Sequence, residues 1–245
     1  MDNFLKGKRV LFMGDSITAL YMSEWGWPKY FCELLEPDFH LSVAVSGAHW
    51  CDRRINLEYD GDPVFKPKED DVMIKNVMGN QIEKLKRQRA AGNPDYQDFD
   101  VIIMAAGTND VRLDSIEEID QQFFRDGEYV PLDKVNRCTW GGSVRYAVES
   151  LYELYPNAHQ FICTPIQGHE SMRSFKIIKQ KGDILKYIAA RLSVKYIDTL
   201  YCGIYGRYEI PGAKGRDLSD GLHPSVDGAT KIGFFNAMAI KAYLG

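Results

Sequence analysis

Val101-Ile102-Ile103-Met104-Ala105-Ala106 runs straight into Gly107-Thr108-Asn109-Asp110. The first six residues are apolar at every position, so neither alternating face of a strand built from them suits water. A half-buried strand would alternate polar with apolar side chains. This run therefore predicts a central strand of a parallel sheet, over Asp100 to Ala106, with helices covering both faces.

Four more β-rich runs lie on either side of it: Arg9 to Met13, His40 to Val45, His159 to Thr164 and Val194 to Asp198. Helical spacing appears between and after them. Val144, Ala147, Val148, Leu151 and Leu154 form one stripe, and Leu185, Ile188, Ala189 and Leu192 a second. A last helix, roughly Val226 to Tyr243, presents Ile232, Phe235, Ala239 and Ala242. The span Asn76 to Ala90 predicts a more exposed helix whose Glu83, Lys84, Lys86, Arg87 and Arg89 read as a wet face. Strands alternating with helices imply right-handed crossovers and an α/β fold, a three-layer α/β/α sandwich around a five-stranded parallel sheet.

The chain has 245 residues, a length that suits one such domain over residues 1–245. It shows no internal repeat, low-complexity tract or linker. Charged residues make up 26% and the formal net charge is -4, with no basic block, which argues against a nucleic-acid partner. The apolar run Val10 to Met13, behind Lys6-Gly7-Lys8-Arg9, is too short for a secretory core or a membrane span. The expectation is a cytoplasmic protein with no membrane partner, secretion of a trimmed form being left open. Five cysteines, odd in number and widely spaced, read as reduced thiols. Two stretches, Asp52 to Lys75 and Arg112 to Gly142, exceed ordinary connections and are expected to form walls or lids of a site.

Open α/β sheets bind ligands beyond the carboxyl ends of their strands. After the first strand stands Gly14-Asp15-Ser16-Ile17, after the second Ser46-Gly47-Ala48, after the third Gly107-Thr108-Asn109-Asp110, and before the last helix Asp220-Gly221-Leu222-His223-Pro224. Together these supply a hydroxyl, an imidazole, a carboxylate and amide donors, the parts that acyl transfer requires. A serine hydroxyl needs a base to take its proton, and His223 can serve Ser16 near neutral pH. Asp220 can turn back to hold the imidazole tautomer. The N–H groups of Ser16 and Gly47 and the side-chain amide of Asn109 can act as an oxyanion hole.

Blander readings compete at each position. Ser16 alone would be an ordinary helix cap, Asn109 and Asp110 an Asx turn, and Asp15 a turn residue rather than a catalyst. The blocks reinforce one another and tip Ser16, His223 and Asn109 toward chemistry, while Asp110 keeps much of the turn reading. Trp25 and Trp50, with Trp27 and Trp140, fall near the site loops. Trp25 or Trp50 is expected beside the substrate, as is Asp15. His49, Cys51 and Asp52 do not continue into a metal-ligand pattern, and His169-Glu170 lacks the second histidine of a zinc-protease helix. Arg53-Arg54 reads as a solvated pair.

In these blocks the chain resembles the SGNH hydrolases, the GDSL-type esterase and lipase superfamily. Gly14-Asp15-Ser16-Ile17 is similar to the first block of that family, Gly47 to the glycine of the second, Gly107-Thr108-Asn109-Asp110 to the third, and Asp220 to His223 to the fifth. The resemblance implies Ser16 as nucleophile, His223 as base, Asp220 as third triad member, and Ser16, Gly47 and Asn109 as oxyanion donors. It also implies a flavodoxin-like sheet in order 2-1-3-4-5 and no obligatory cofactor. Ile17 stands where the family usually has Leu, and Ala44-Val45-Ser46 lacks the Asn that often precedes the second-block glycine. The Gly-x-Ser-x-Gly elbow of α/β-hydrolases is absent.

The function expected is a carboxylester hydrolase that removes a short acyl group, acetyl foremost, from a carbohydrate or other small polar ester. The alternatives are a lipase, lysophospholipase or thioesterase for longer chains, an acyltransferase, and a non-catalytic binding module on the same fold. Assembly into a homo-oligomer is compatible with each.

Overall fold

A computed structural model describes residues 4–52 and 77–245. Arg53, Arg54 and the rest of the stretch to Lys75 lie outside the described residues. The strands of the main sheet begin with β1 (Arg9–Gly14), β2 (Phe39–Ser42) and β3 (Val101–Ala105). A separate antiparallel ribbon of β4 (Phe124–Arg125) and β5 (Glu128–Tyr129) intervenes before β6 (His159–Cys163) and β7 (Lys195–Ile197) complete it. The helices are α1 (Ser16–Ala19), α2 (Trp27–Leu35), α3 (Met78–Ala90), α4 (Ile116–Asp120), α5 (Trp140–Leu154), α6 (Phe175–Arg191) and α7 (Val226–Leu244).

The five-stranded sheet has order β2-β1-β3-β6-β7 and every pairing in it is parallel, so numbered within the sheet it is 2-1-3-4-5. The apolar run occupies the middle strand, β3. Successive residues of a strand face opposite ways, and β3 serves two cores accordingly. Ile102 and Met104 join Leu11, Met13 and Ile162 against α3, α5 and α6. Val101 and Ile103 join Val10, Phe12 and Phe161 against Trp27, Phe31 and Leu35 of α2 and Ile232 and Ile240 of α7.

Three local readings need correction. α2 was not anticipated, although Trp27, Phe31 and Leu35 recur at helical spacing, because nine residues opening on Trp27-Pro28 give a brief signal. The stretch Arg112 to Gly142 is not a plain loop. It holds α4, whose Ser115 and Glu118 form a capping box, then the ribbon, and it ends inside α5. The fully buried Arg145 fastens the ribbon to α5, donating to Val130 O at 2.6 Å and to Gln122 O. A polar side chain does there what apolar patterning would have announced. The third correction is to α3: Gln81, Ile82 and Leu85 are buried, so only part of this charged helix is wet.

Candidate active site

Gly14 closes β1 against β3 so tightly that a Cβ there would lie 2.1 Å from Ala105 O. Both its backbone groups are held by buried Gln81, whose Oε1 accepts from Gly14 N at 3.0 Å and whose Nε2 donates to Gly14 O at 2.7 Å. Asp15 then caps α1, accepting from Ile17 N at 3.1 Å. The cap starts α1 at Ser16 and fixes where its hydroxyl emerges.

The opposite part comes from the segment before α7. Ser219 N donates to His223 O at 2.8 Å, Gly212 N to Asp220 O at 2.8 Å and His169 N to Gly221 O at 2.8 Å. Gly221 sits at φ +86°, the left-handed turn that lets this loop double back. Asp220 Oδ1 accepts from Leu222 N at 2.9 Å and His223 N at 2.7 Å, and Oδ2 meets His223 Nδ1 at 2.8 Å. His223 Nε2 lies 3.0 Å from Ser16 Oγ, across 207 positions of sequence.

Partial burial pushes the Asp220 carboxyl up, but bonds from the His223 ring and from the His223 and Leu222 N–H groups outweigh it and hold the carboxyl below its ordinary value. An ionised carboxylate only accepts, so Nδ1 carries the imidazole proton and Nε2 turns its lone pair to the serine. The hydroxyl, imidazole and carboxylate thus form one hydrogen-bonded chain that can pass a proton off the serine and stabilise the resulting cation.

Gly47, at φ +74°, follows β2. Asn109 Nδ2 donates to Ala48 O at 3.1 Å, which brings the second-strand and third-strand loops together and leaves the other amide hydrogen uncommitted to Ala48. Asp110 ties the same loops from below: its buried carboxylate accepts from Trp50 N and Cys51 N, each at 2.9 Å. It is a cross-loop tether more than a local turn.

Trp50 and Asp15 do not meet the expectation of substrate contact. Trp50 is fully buried in the core and its indole N–H donates to Ala106 O at 3.1 Å. Asp15 is buried as well, and Thr108 approaches it with both hydroxyl and N–H. Burial raises its carboxyl to about 6 against these donors. Trp27 and Trp140 are also core residues, whereas Trp25 is 49% exposed on the segment joining α1 to α2, the segment that follows Ser16. Of the residues weighed as metal ligands, Asp52 is paired with Arg137 Nη2 at 2.5 Å. His49 and Cys51 are buried.

Sequence reading missed the residues that brace these loops. Buried Lys181 of α6 donates to Thr108 O at 3.0 Å, and Arg173 Nε joins it at 3.3 Å, so two cations grip the carbonyl just before Asn109. Burial lowers the Lys181 ammonium, opposed by the Asp110 charge. Gln81, Arg173 and Lys181 stand in no motif, and nothing in linear spacing marks them. The thiols of Cys32 and Cys163 are pushed by burial to about 12 and that of Cys202 to about 11. No helix among the described residues is long and apolar enough to cross a membrane.

Solved structures share this fold over nearly the whole chain. A possible lipase from Chitinophaga pinensis superposes with TM-score 0.63 at 15% identity, covering 96% of this chain and 98% of its own. The M. smegmatis aryl esterase gives 0.57 at 15%, covering 97% and 100%. An acetylxylan esterase from Geobacillus stearothermophilus gives 0.53 at 19%, covering 99% and 97%. No curated protein sequence matches the chain. The GDSL-like Lipase/Acylhydrolase family matches residues 12–231, a span that takes in every loop described above. The chain belongs to the GDSL-like lipase/acylhydrolase family and is a hydrolase acting on ester bonds.

Proposed function

We propose that the protein is a serine carboxylester hydrolase that removes a short acyl group, acetyl foremost, from a carbohydrate or similar small polar ester. The observation that carries this reading is the unbroken chain Ser16 Oγ to His223 Nε2 at 3.0 Å and His223 Nδ1 to Asp220 Oδ2 at 2.8 Å. Ser16 Oγ attacks the carbonyl carbon as His223 Nε2 takes its proton, and Asp220 stabilises the imidazolium. The carbonyl oxygen becomes an oxyanion held by the N–H groups of Ser16 and Gly47 and the amide of Asn109. The C–O bond to the alcohol breaks, His223 returns the proton to that alcohol, and the acyl group stays on Ser16. Water, deprotonated by His223, then attacks the acyl-enzyme and frees the acid and the serine.

The short-acyl, polar-alcohol half of the proposal is supported by the polar and aromatic character of the surrounding loops. The likeness to an acetylxylan esterase, one of fold, agrees with it. The test is a p-nitrophenyl ester series with Ser16→Ala as reference. Acetate turnover above that of long chains, lost by about 10⁴-fold or more in the variant, is the expected result. Turnover rising with chain length would favour a lipase or thioesterase. Ester formed with an added alcohol in preference to free acid would favour an acyltransferase. A folded protein that neither turns over esters nor takes a fluorophosphonate on Ser16 would be a binding module.

A further inference from the structure

Beside the base loop lies an open cleft of about 570 Å³, lined by His169, Glu170, Phe175, Tyr205 and Arg207 together with Gln167 and two glycines. Its size falls within the ~300–1,000 Å³ of small-ligand sites. The wall formed by residues 167–173 is joined to both site loops: His169 N donates to Gly221 O at 2.8 Å, between Asp220 and His223, and Arg173 Nε donates to Thr108 O at 3.3 Å, next to Asn109. The facing wall meets it at the floor, where a Cβ on Gly206 would stand 2.1 Å from Gly168 O and Gly206 N reaches Gln167 Oε1 at 3.4 Å.

We propose that this cleft is the subsite for the alcohol half of the ester, and that the alcohol it takes is a neutral saccharide. The proposal rests on the reading of Ser16 as nucleophile given above. Tyr205, whose ring is braced in a T-shaped contact with Tyr208 at 5.4 Å, is 53% exposed and Phe175 is 46% exposed, so two aromatic side chains offer surface to the C–H face of a sugar. His169 Nδ1 is engaged by Ser171, with Oγ at 2.8 Å and N at 3.2 Å, and Nε2 is without a partner among the described residues and can meet a sugar hydroxyl. Glu170 accepts from Phe175 N at 2.9 Å through Oε2 and from the Ser174 side chain, so its carboxylate is held in place at the cleft as an acceptor for a sugar hydroxyl. Arg207 makes no ion pair among the described residues and offers a planar set of donors. Arg207 and Glu170 cancel in charge, which favours a neutral ligand over a uronate or phosphate. A long alkyl chain would have to desolvate all of these polar groups, so the cleft does not suit the acyl half.

The test compares two acetyl esters, acetylated xylobiose and p-nitrophenyl acetate, in wild type and in Tyr205→Ala, Arg207→Ala and the distant surface variant Tyr152→Ala. The ratio of kcat/KM on the disaccharide ester to that on p-nitrophenyl acetate is expected to fall about five- to tenfold in each cleft variant, through KM, and to hold in Tyr152→Ala. Wild type that cleaves the disaccharide ester with a ratio unmoved by the cleft variants would overturn the subsite alone. Wild type that cleaves p-nitrophenyl acetate but no acetylated saccharide would overturn the saccharide assignment. Wild type inactive on both would bring down the reading of Ser16 beneath it.

Discussion

Asp15, Ser16 and Ile17 divide the work of a single turn: the first caps the helix, the second presents a hydroxyl to His223, and the third lends its N–H to the cap and its side chain to the core. The same division recurs at Asn109 and Asp110, one half-buried beside Gly47 and the other a buried tether. Asn109→Ala is expected to lower kcat by about 10²- to 10³-fold with little effect on thermal stability, checked by steady-state kinetics beside a melting curve. Asp15→Asn behaves differently. The amide nitrogen would face the Thr108 donors, so the variant loses stability, by about 1–3 kcal/mol. Its pH dependence has a definite sign. The folded carboxyl titrates at about 6 against 3.8 in the unfolded chain, so between these values the native state holds the extra proton and stability falls as pH rises. Asn does not titrate. The cost of Asp15→Asn is therefore expected to be larger near pH 5 than near pH 8, by about 1 kcal/mol in urea unfolding. A smaller cost on the acid side would contradict the burial argument.

At the scale of elements, α7 links chemistry to packing. Its cap, Ser225, accepts from Gly228 N at 3.4 Å and donates to Asp217 O at 2.9 Å, so the helix begins three residues after His223. Gly233 brings α7 against α2, where a Cβ would lie 2.7 Å from Trp27 O and 2.8 Å from the Tyr30 side chain. Gly233→Leu is expected to push the helices apart, at a cost of about 1–3 kcal/mol, and to lower kcat by displacing the base. Calorimetry and kinetics on the same preparation check both. These elements also show how much the sequence discloses. The apolar run announced a strand covered on both faces, which β3 is, and β1, apolar from Val10 to Met13 and as fully buried, lies beside it. The reading of His40 to Val45 as one strand has physical substance past the end of β2, since Val43 N and Val45 N still donate to Phe12 O and Gly14 O at 3.0 Å. What linear reading missed was held by single polar contacts between distant segments. Gln81 looked like one more residue of a charged helix, and Trp50 looked like a site residue because it is near Gly47 in sequence. Burial, which decides both, follows from the whole packing.

At the scale of the molecule, Ser16 and His223 come from opposite ends of the sheet's chain order and meet only when β1 and α7 are both in place. Trp27 lies in the core on one face of the sheet, Trp50 and Trp140 in the core on the other. Tryptophan fluorescence therefore reports both layers, and its unfolding transition in urea is expected to coincide with loss of ester hydrolysis; activity vanishing well before the fluorescence change would mean that the site opens locally. Asp220 and His223, by contrast, share one short turn that closes on itself through bonds from Leu222 N and His223 N to the Asp220 carboxylate. Deleting the serine hydroxyl leaves that turn and its imidazole in register. Crystals of Ser16→Ala soaked with an intact ester would then work as a snare, holding the uncut molecule in its reactive pose for direct view.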